Sequence, residues 1–126
     1  MSFDFLIERS EKPIYRGKLD NYNASFYDKN PVCGDEVKVY ILIEDDKIKN
    51  ARFEGKGCII SMASSDLLIE SILNKNVDYV LSLNESFVRE LVKIPLGINR
   101  IKCALLPLRV IQKAVVEYKK GNLKES

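Results

Sequence analysis

The sequence predicts an α+β fold in which an antiparallel sheet is followed by helices. Between residues 37 and 43 an apolar side chain stands at every second position, which is typical of a half-buried strand. A polar turn at 44–47 and a second alternating run at 48–54 complete an antiparallel hairpin. Beyond the hairpin, apolar residues recur at four-residue spacing within 61–74 and 103–119, which predicts two amphipathic helices.

Weaker signals surround these elements. The pattern predicts a short helix within 1–10, a connecting loop over 20–31 and a short third strand at Ile59 and Ile60. It also predicts two short helical pieces within 77–94, the second of which has Ser82 or Asn84 as its N-cap. Gly121 and the polar residues after it predict a frayed tail over 121–126. With 126 residues, no repeat and no low-complexity tract, the chain is expected to form one domain over 1–126.

Composition narrows the function classes. The chain is 46% hydrophobic and 30% charged, with a net charge of +2 and both signs interspersed, so no basic face for nucleic acid or anionic lipid is expected. The apolar runs are too short for a membrane span, and the first residues lack a basic leader, so a cytoplasmic protein is expected. Histidine is absent, which excludes histidine catalysis and confines any metal site to Cys, Asp or Glu.

The three cysteines, Cys33, Cys58 and Cys103, are the candidate functional residues. An odd number without a secretion signal favours thiol chemistry over disulfides, and each cysteine is predicted to lie at a break between elements. Pro107 is tolerated near the first turn of a helix, which puts Cys103 at or just before the last helix. A helix N-terminus lowers a thiol pKa, so Cys103, and Cys58 if a helix follows it directly, are predicted to be good nucleophiles and soft-metal ligands.

Each of these residues also has a plain structural explanation. A free cysteine is often a small buried apolar residue, and separations of 24 and 44 residues match no zinc-finger spacing. Asp35 follows Cys33 by two positions and can turn its carboxylate toward the same point, but it could equally serve a turn. Spacing alone therefore favours structural roles.

The segments that contain the cysteines change this balance. The chain resembles the family of iron–sulfur cluster scaffolds that includes IscU, SufU and the N-terminal domain of NifU. The resemblance lies in residues 30–35 (NPVCGD), 51–58 (ARFEGKGC), 63–65 (ASS) and 100–106 (RIKCALL), with a weaker match at 13–19 (PIYRGKL). Order and approximate spacing agree as well, so the resemblance spans nearly the whole chain.

The resemblance implies an IscU/NifU-like α+β fold with a three-stranded antiparallel sheet, helices packed on one face and a long C-terminal helix. It also implies that Cys33, Asp35, Cys58 and Cys103 converge at one end of the domain. Three thiolates and a carboxylate suit zinc, or form a partial ligand set for a labile [2Fe–2S] cluster. A hard carboxylate among soft thiolates weakens cluster retention, which a cluster donor requires.

Family members differ at the residue before the third cysteine. IscU-type members have His there, after a Leu-Pro-Pro-Val-Lys segment bound by a chaperone, whereas this chain has Lys102 after IPLGIN at 94–99. The motif around Lys102 resembles SufU-type members, in which three Cys and one Asp hold zinc. SufU-type proteins usually carry an insertion before this motif, and the 44 residues between Cys58 and Cys103 leave little room for one.

Three hypotheses follow. The first is a scaffold, not an enzyme, that accepts sulfur from a cysteine desulfurase at Cys33 or Cys103, builds a transient [2Fe–2S] cluster and passes it to apo iron–sulfur proteins. The second is a SufU-type zinc-dependent sulfurtransferase that relays persulfide sulfur without building a cluster. The third is a structural zinc domain that mediates protein contacts. A homo-oligomer is compatible with all three.

Overall fold

A computed structural model describes residues 3–31 and 34–125 of the chain, and side chains up to Gly121. The described residues form eight elements, in the order α1 (Asp4–Glu11), β1 (Ala24–Lys29), β2 (Glu36–Glu44), β3 (Lys47–Lys56), α2 (Ile59–Ile72), α3 (Val77–Ser82), α4 (Glu85–Val92) and α5 (Ile98–Glu125). No helix in these ranges combines the length and the apolar character that a membrane span needs.

The strands form an antiparallel sheet in the order β1-β2-β3. Val39, in the central strand, lies between Phe26 and Phe53, and all three side chains are on the same face of the sheet. A short segment, Tyr15 to Gly17, lies along the outer edge of β3. The Phe53 amide donates to Tyr15 at 3.0 Å and the Gly17 amide donates to Phe53 at 2.8 Å. The segment thus covers part of an edge that would otherwise offer unpaired backbone groups.

The helices pack on one face of this sheet, so the predicted fold class is confirmed. The inward positions of β2 and β3 are fully or almost fully buried and meet the apolar sides of α2 and α5. The opposite face is polar. There Tyr40 donates a 2.5 Å hydrogen bond to Glu54, which raises the pKa of Tyr40 to about 12. The alternation of apolar and polar residues along the hairpin therefore separates a buried face from a polar face, as predicted.

The third strand is not the predicted one. Ile59 and Ile60 form the first turn of α2, whereas the third strand is β1, inside the segment predicted to be a loop. In β1, buried or half-buried side chains are interspersed with polar ones, and its pairing with β2 is a contact distant in sequence. Two helical pieces within 77–94 are confirmed, and Asn84 is the N-cap of α4, accepting from the Phe87 amide at 3.2 Å.

Helix α5 is longer at both ends than predicted. It begins at Ile98, so Cys103 lies in its second turn and Pro107 lies well inside it. It continues to Glu125, beyond the predicted end at Lys119 and into the segment predicted to be a frayed tail. Pro107 has no N–H to donate to the Cys103 carbonyl. The Ser64 hydroxyl of α2 donates to the neighbouring Ala104 carbonyl at 2.9 Å, so packing against α2 supports the helix at its interruption.

A buried ion pair attaches the N-terminal segment to α2. The Asp66 carboxylate is fully buried and accepts two hydrogen bonds from the Arg9 guanidinium, at 2.6 and 2.8 Å. It also accepts from the backbone amides of Ile14 and Tyr15, at 3.1 and 2.7 Å. One carboxylate therefore holds both α1 and the segment that covers the edge of β3.

This arrangement predicts that removing the charge of Arg9 destabilises the fold more than removing that of Lys119. Arg9→Met should lower the free energy of unfolding by about 3 kcal/mol, because the buried Asp66 carboxylate loses its cation. Lys119→Met removes an exposed pair with Asp78 and should cost less than about 1 kcal/mol. Urea denaturation measures both, and equal losses would contradict the role assigned to Asp66.

Candidate metal centre

Asp35 lies immediately before β2 and is a buried member of the candidate site, with 2% of its surface exposed. The loop that precedes it is closed by two backbone hydrogen bonds: Asn30 donates to Asp35 at 2.8 Å and Gly34 donates to Asn30 at 2.7 Å. Gly34 has φ +77°, a conformation that glycine adopts without strain. This local turn directs the Asp35 carboxylate toward the start of α2.

Cys58 is the N-cap residue of α2, so the predicted location of this cysteine at a break between elements is confirmed. Its backbone amide donates to Asp35 Oδ1 at 2.9 Å, and its Sγ lies 3.6 Å from Asp35 Oδ2. One carboxylate oxygen is thus fixed by the backbone, while the other faces the thiol. Unlike Asp35, Cys58 is exposed to solvent.

Gly57 leaves the space that this contact needs. A Cβ atom at this position would overlap Asp35 Oδ1 and would lie 2.7 Å from Ser61 Oγ. Any larger residue would therefore displace the carboxylate, the Ser61 hydroxyl or the backbone. Gly57, which the sequence alone assigns to a turn, thus has a second role: its missing side chain leaves room for the Asp35 carboxylate.

Cys103 approaches from α5 and is mostly buried, with 7% of its surface exposed. Because it lies in the second turn of the helix, the prediction that it sits at or before the helix start is wrong. Chemistry at Cys103 therefore cannot be attributed to a helix N-terminus. Lys102 beside it is exposed, while Arg100 contributes with Cys103 to the lining of a cavity.

The three donor atoms of Asp35, Cys58 and Cys103 lie within 4.8 Å of one another. Two tetrahedral zinc ligands, one sulfur at about 2.3 Å and one oxygen at about 2.1 Å from the metal, are separated by about 3.6 Å. The observed distance between Cys58 Sγ and Asp35 Oδ2 is also 3.6 Å. Two thiols and a carboxylate thus fit zinc or iron in donor type, and the Cys58–Asp35 pair fits in spacing as well.

The two cysteines of the site line a cavity of about 420 Å³. Its wall is lined by Phe3, Cys58, Ile59, Ile60, Arg100 and Cys103. Apolar walls limit the access of water to the mostly buried Cys103, whereas the exposed Cys58 keeps the site accessible to a partner. No motif connected Phe3 with the cysteines, because it is distant along the chain from each of them.

Cys33 lies outside the described residues, so its predicted place in the site stays a prediction. Ser61 is a neighbour of the site that sequence reasoning missed. Its Oγ lies 3.8 Å from Cys58 Sγ, and the spacing of three residues would have signalled this contact had α2 been predicted to start at Ile59.

Fold and site together define a small domain whose clustered thiols and carboxylate can bind a soft metal. Residues 3–125 match the family described as NifU-like N terminal domain. The chain belongs to this family, so the resemblance noted in the sequence is confirmed.

Named relatives fall into both types discussed above. The chain is 30% identical to the iron–sulfur cluster assembly scaffold protein IscU of Thermotoga maritima, over 91% of this chain and 92% of that protein. It is also 30% identical to the zinc-dependent sulfurtransferase SufU of Bacillus subtilis, over 74% and 75%. A crystal structure from Fervidobacterium islandicum, of a candidate SUF-system scaffold, has a TM-score of 0.80 and 29% identity, and covers 90% of this chain and 96% of that one.

The role of Gly57 yields a prediction. Gly57→Ala should weaken zinc binding about 10- to 100-fold, because the added methyl group displaces the Asp35 carboxylate from its backbone anchor. Gly97→Ala is the matched control, since a Cβ there meets no atom within 4 Å. Competition with a chromophoric chelator measures both affinities, and equal affinities for the two variants would contradict the role of Gly57.

Proposed function

We propose that this chain is an iron–sulfur cluster assembly scaffold, on which a transient [2Fe–2S] cluster is built as cargo and then passed to acceptor proteins. The observation that carries the proposal is the meeting of Asp35, Cys58 and Cys103 within 4.8 Å. Thiolates are the usual ligands of such clusters. A ligand set with one carboxylate oxygen binds a cluster less tightly than four thiolates do. A scaffold needs that combination, because its cargo must leave.

Cys33 completes the proposed ligand set of Cys33, Asp35, Cys58 and Cys103. Covalent geometry supports this, because Cys33 is two residues from Asp35 and successive Cα atoms are about 3.8 Å apart. Its Cα therefore lies within about 7.6 Å of the Asp35 Cα. The resemblance of residues 30–35 to the family motif adds a second, independent support.

Sulfur delivery is proposed to start at Cys33 or Cys103. A thiolate of this chain attacks the terminal sulfur of a persulfide on a cysteine desulfurase, and an S–S bond forms here as the S–S bond on the desulfurase breaks. The desulfurase cysteine leaves as a thiolate, so no external oxidant or reductant is consumed in the transfer. The cavity between Cys58 and Cys103 gives the incoming sulfur a partly apolar path.

The proposed partners are a cysteine desulfurase and apo iron–sulfur proteins. We place this activity in the cytoplasm, because free thiols that act as ligands and nucleophiles require a reducing compartment. Charges of both signs are interspersed over the sequence, which supports protein partners over nucleic acid or a membrane surface.

Cluster assembly is tested by anaerobic reconstitution with ferrous iron, cysteine, a desulfurase and dithiothreitol, a thiol reductant that supplies the two electrons needed to convert each persulfide sulfur into sulfide. The wild-type chain should develop [2Fe–2S] absorbance, with about two irons and two acid-labile sulfides per assembled site. Cys58→Ser should lose most of this absorbance, because an alcohol replaces one of the soft ligands. Absence of a cluster on the wild type, or equal clusters on both proteins, would contradict the proposal.

The second candidate function is a zinc-dependent sulfurtransferase, favoured by the 3.6 Å separation of Cys58 Sγ and Asp35 Oδ2. Here three thiolates and Asp35 would hold zinc, which keeps the thiolates ionised until one of them leaves to take sulfur. The exposed Lys102 in the position of the IscU-type histidine is compatible with this ligand set.

Metal and sulfide analysis separates the two functions. Protein purified without oxygen should contain iron and acid-labile sulfide if it is a scaffold, and about one tightly bound zinc without sulfide if it relays persulfide. In the second case zinc-loaded protein should also accelerate a partner desulfurase, and removal of zinc should abolish that effect. Neither metal in the purified protein would contradict both functions.

A further inference from the structure

Ser61 stands directly beside the candidate metal centre. It lies in the first turn of α2, its surface is fully buried, and its Oγ is 3.8 Å from Cys58 Sγ. A buried hydroxyl requires hydrogen-bond partners within the protein. Those partners identify what the hydroxyl can do.

Within the described part of the chain, the Ser61 hydroxyl lies within hydrogen-bond distance of two groups of Cys58. It donates to the Cys58 carbonyl at 3.2 Å, but that carbonyl also accepts from the Met62 amide at 3.1 Å. The carbonyl is therefore satisfied without Ser61. The second group is Cys58 Sγ at 3.8 Å, which in its thiol form is the donor, toward Ser61 Oγ or toward Asp35 Oδ2.

Metal binding changes this arrangement. When Cys58 binds a metal its thiol proton leaves, so the sulfur can no longer donate and becomes an acceptor only. The Cys58 amide is already committed to Asp35 Oδ1 at 2.9 Å. The Ser61 hydroxyl is then the adjacent side-chain donor that can turn to the sulfur, while Met62 keeps the carbonyl paired.

We propose that Ser61 is a positioning residue that donates a hydrogen bond to the metal-bound sulfur of Cys58. The inference rests on the proposed metal-binding function. Hydrogen bonds to ligand sulfur withdraw electron density from it, so they tune the metal–sulfur bond and raise the reduction potential of a bound cluster. Ser61 would thereby make Cys58 a weaker donor, as the release of cargo requires.

Substitution of cobalt(II) for the native metal gives a direct optical signal of the sulfur ligands. Ser61→Ala should move the sulfur-to-cobalt charge-transfer band to longer wavelength, because a sulfur without the hydrogen bond gives up electron density more easily. Ser61→Thr keeps the hydroxyl and should restore the wild-type band. The potential of a reconstituted cluster should shift to more negative values in Ser61→Ala and return in Ser61→Thr.

Ser71→Ala is the matched control. Ser71 lies on the same helix and makes the same kind of bond, from its hydroxyl to the Leu67 carbonyl at 2.9 Å, but away from the site. Its removal should leave the band and the potential unchanged. An unchanged band in Ser61→Ala, or an equal shift in Ser71→Ala, would overturn the role of Ser61.

The unmodified chain provides a second measurement that does not depend on the folding of a variant. Metal–sulfur stretching frequencies of the cobalt protein should shift between H2O and D2O, because the hydroxyl proton exchanges. No shift would overturn the inference. If the wild-type chain shows no sulfur-to-cobalt band at all, the proposed metal site itself has failed, which is a distinguishable result.

Discussion

The hydrogen bond from the Cys58 amide to the buried carboxylate of Asp35 is the contact on which the site depends. It joins the loop before β2 to the first turn of α2, two segments that are 23 residues apart in the chain. Gly57 makes the approach sterically feasible, and the same bond leaves Oδ2 facing Cys58 Sγ. A ligand pair of suitable spacing is thus set by backbone geometry before any metal arrives.

The remaining architecture holds α2 and α5 in the positions that this pair needs. Ser64 ties α2 to α5 at Ala104, one residue after Cys103, and so fixes the depth from which the second sulfur approaches. The Arg9–Asp66 pair attaches α1 to α2, and Phe3 just before α1 lines the cavity at the sulfur atoms. Distant segments therefore determine both the distance between the donors and the wall of the cavity that the two cysteines line.

Much of the fold could be predicted, because its signals are local. Alternation in the β2–β3 hairpin and the Asn84 cap depend on neighbouring residues. Strand β1 could not be predicted, because it lies in a polar stretch of sequence and forms by pairing with β2, which is distant along the chain. The prediction that Cys103 lies at the start of the last helix was wrong. Helix propensity alone would start that helix close to Pro107, but tertiary packing, including the Ser64 hydrogen bond, accommodates the proline inside it.

For the site, the residue types came from the motifs and their arrangement from the structure. The structure brings Asp35, Cys58 and Cys103 together. Ser61 and Phe3 also lie at the site, but they belong to none of the motifs that contain the cysteines. The central claim is that these donors share one metal ion. X-ray absorption at the metal edge of the loaded chain tests it directly. We expect sulfur scatterers at about 2.3 Å and one oxygen at about 2.0–2.2 Å, with the oxygen signal lost or altered in Asp35→Ala. A first shell made only of oxygen or nitrogen would contradict it.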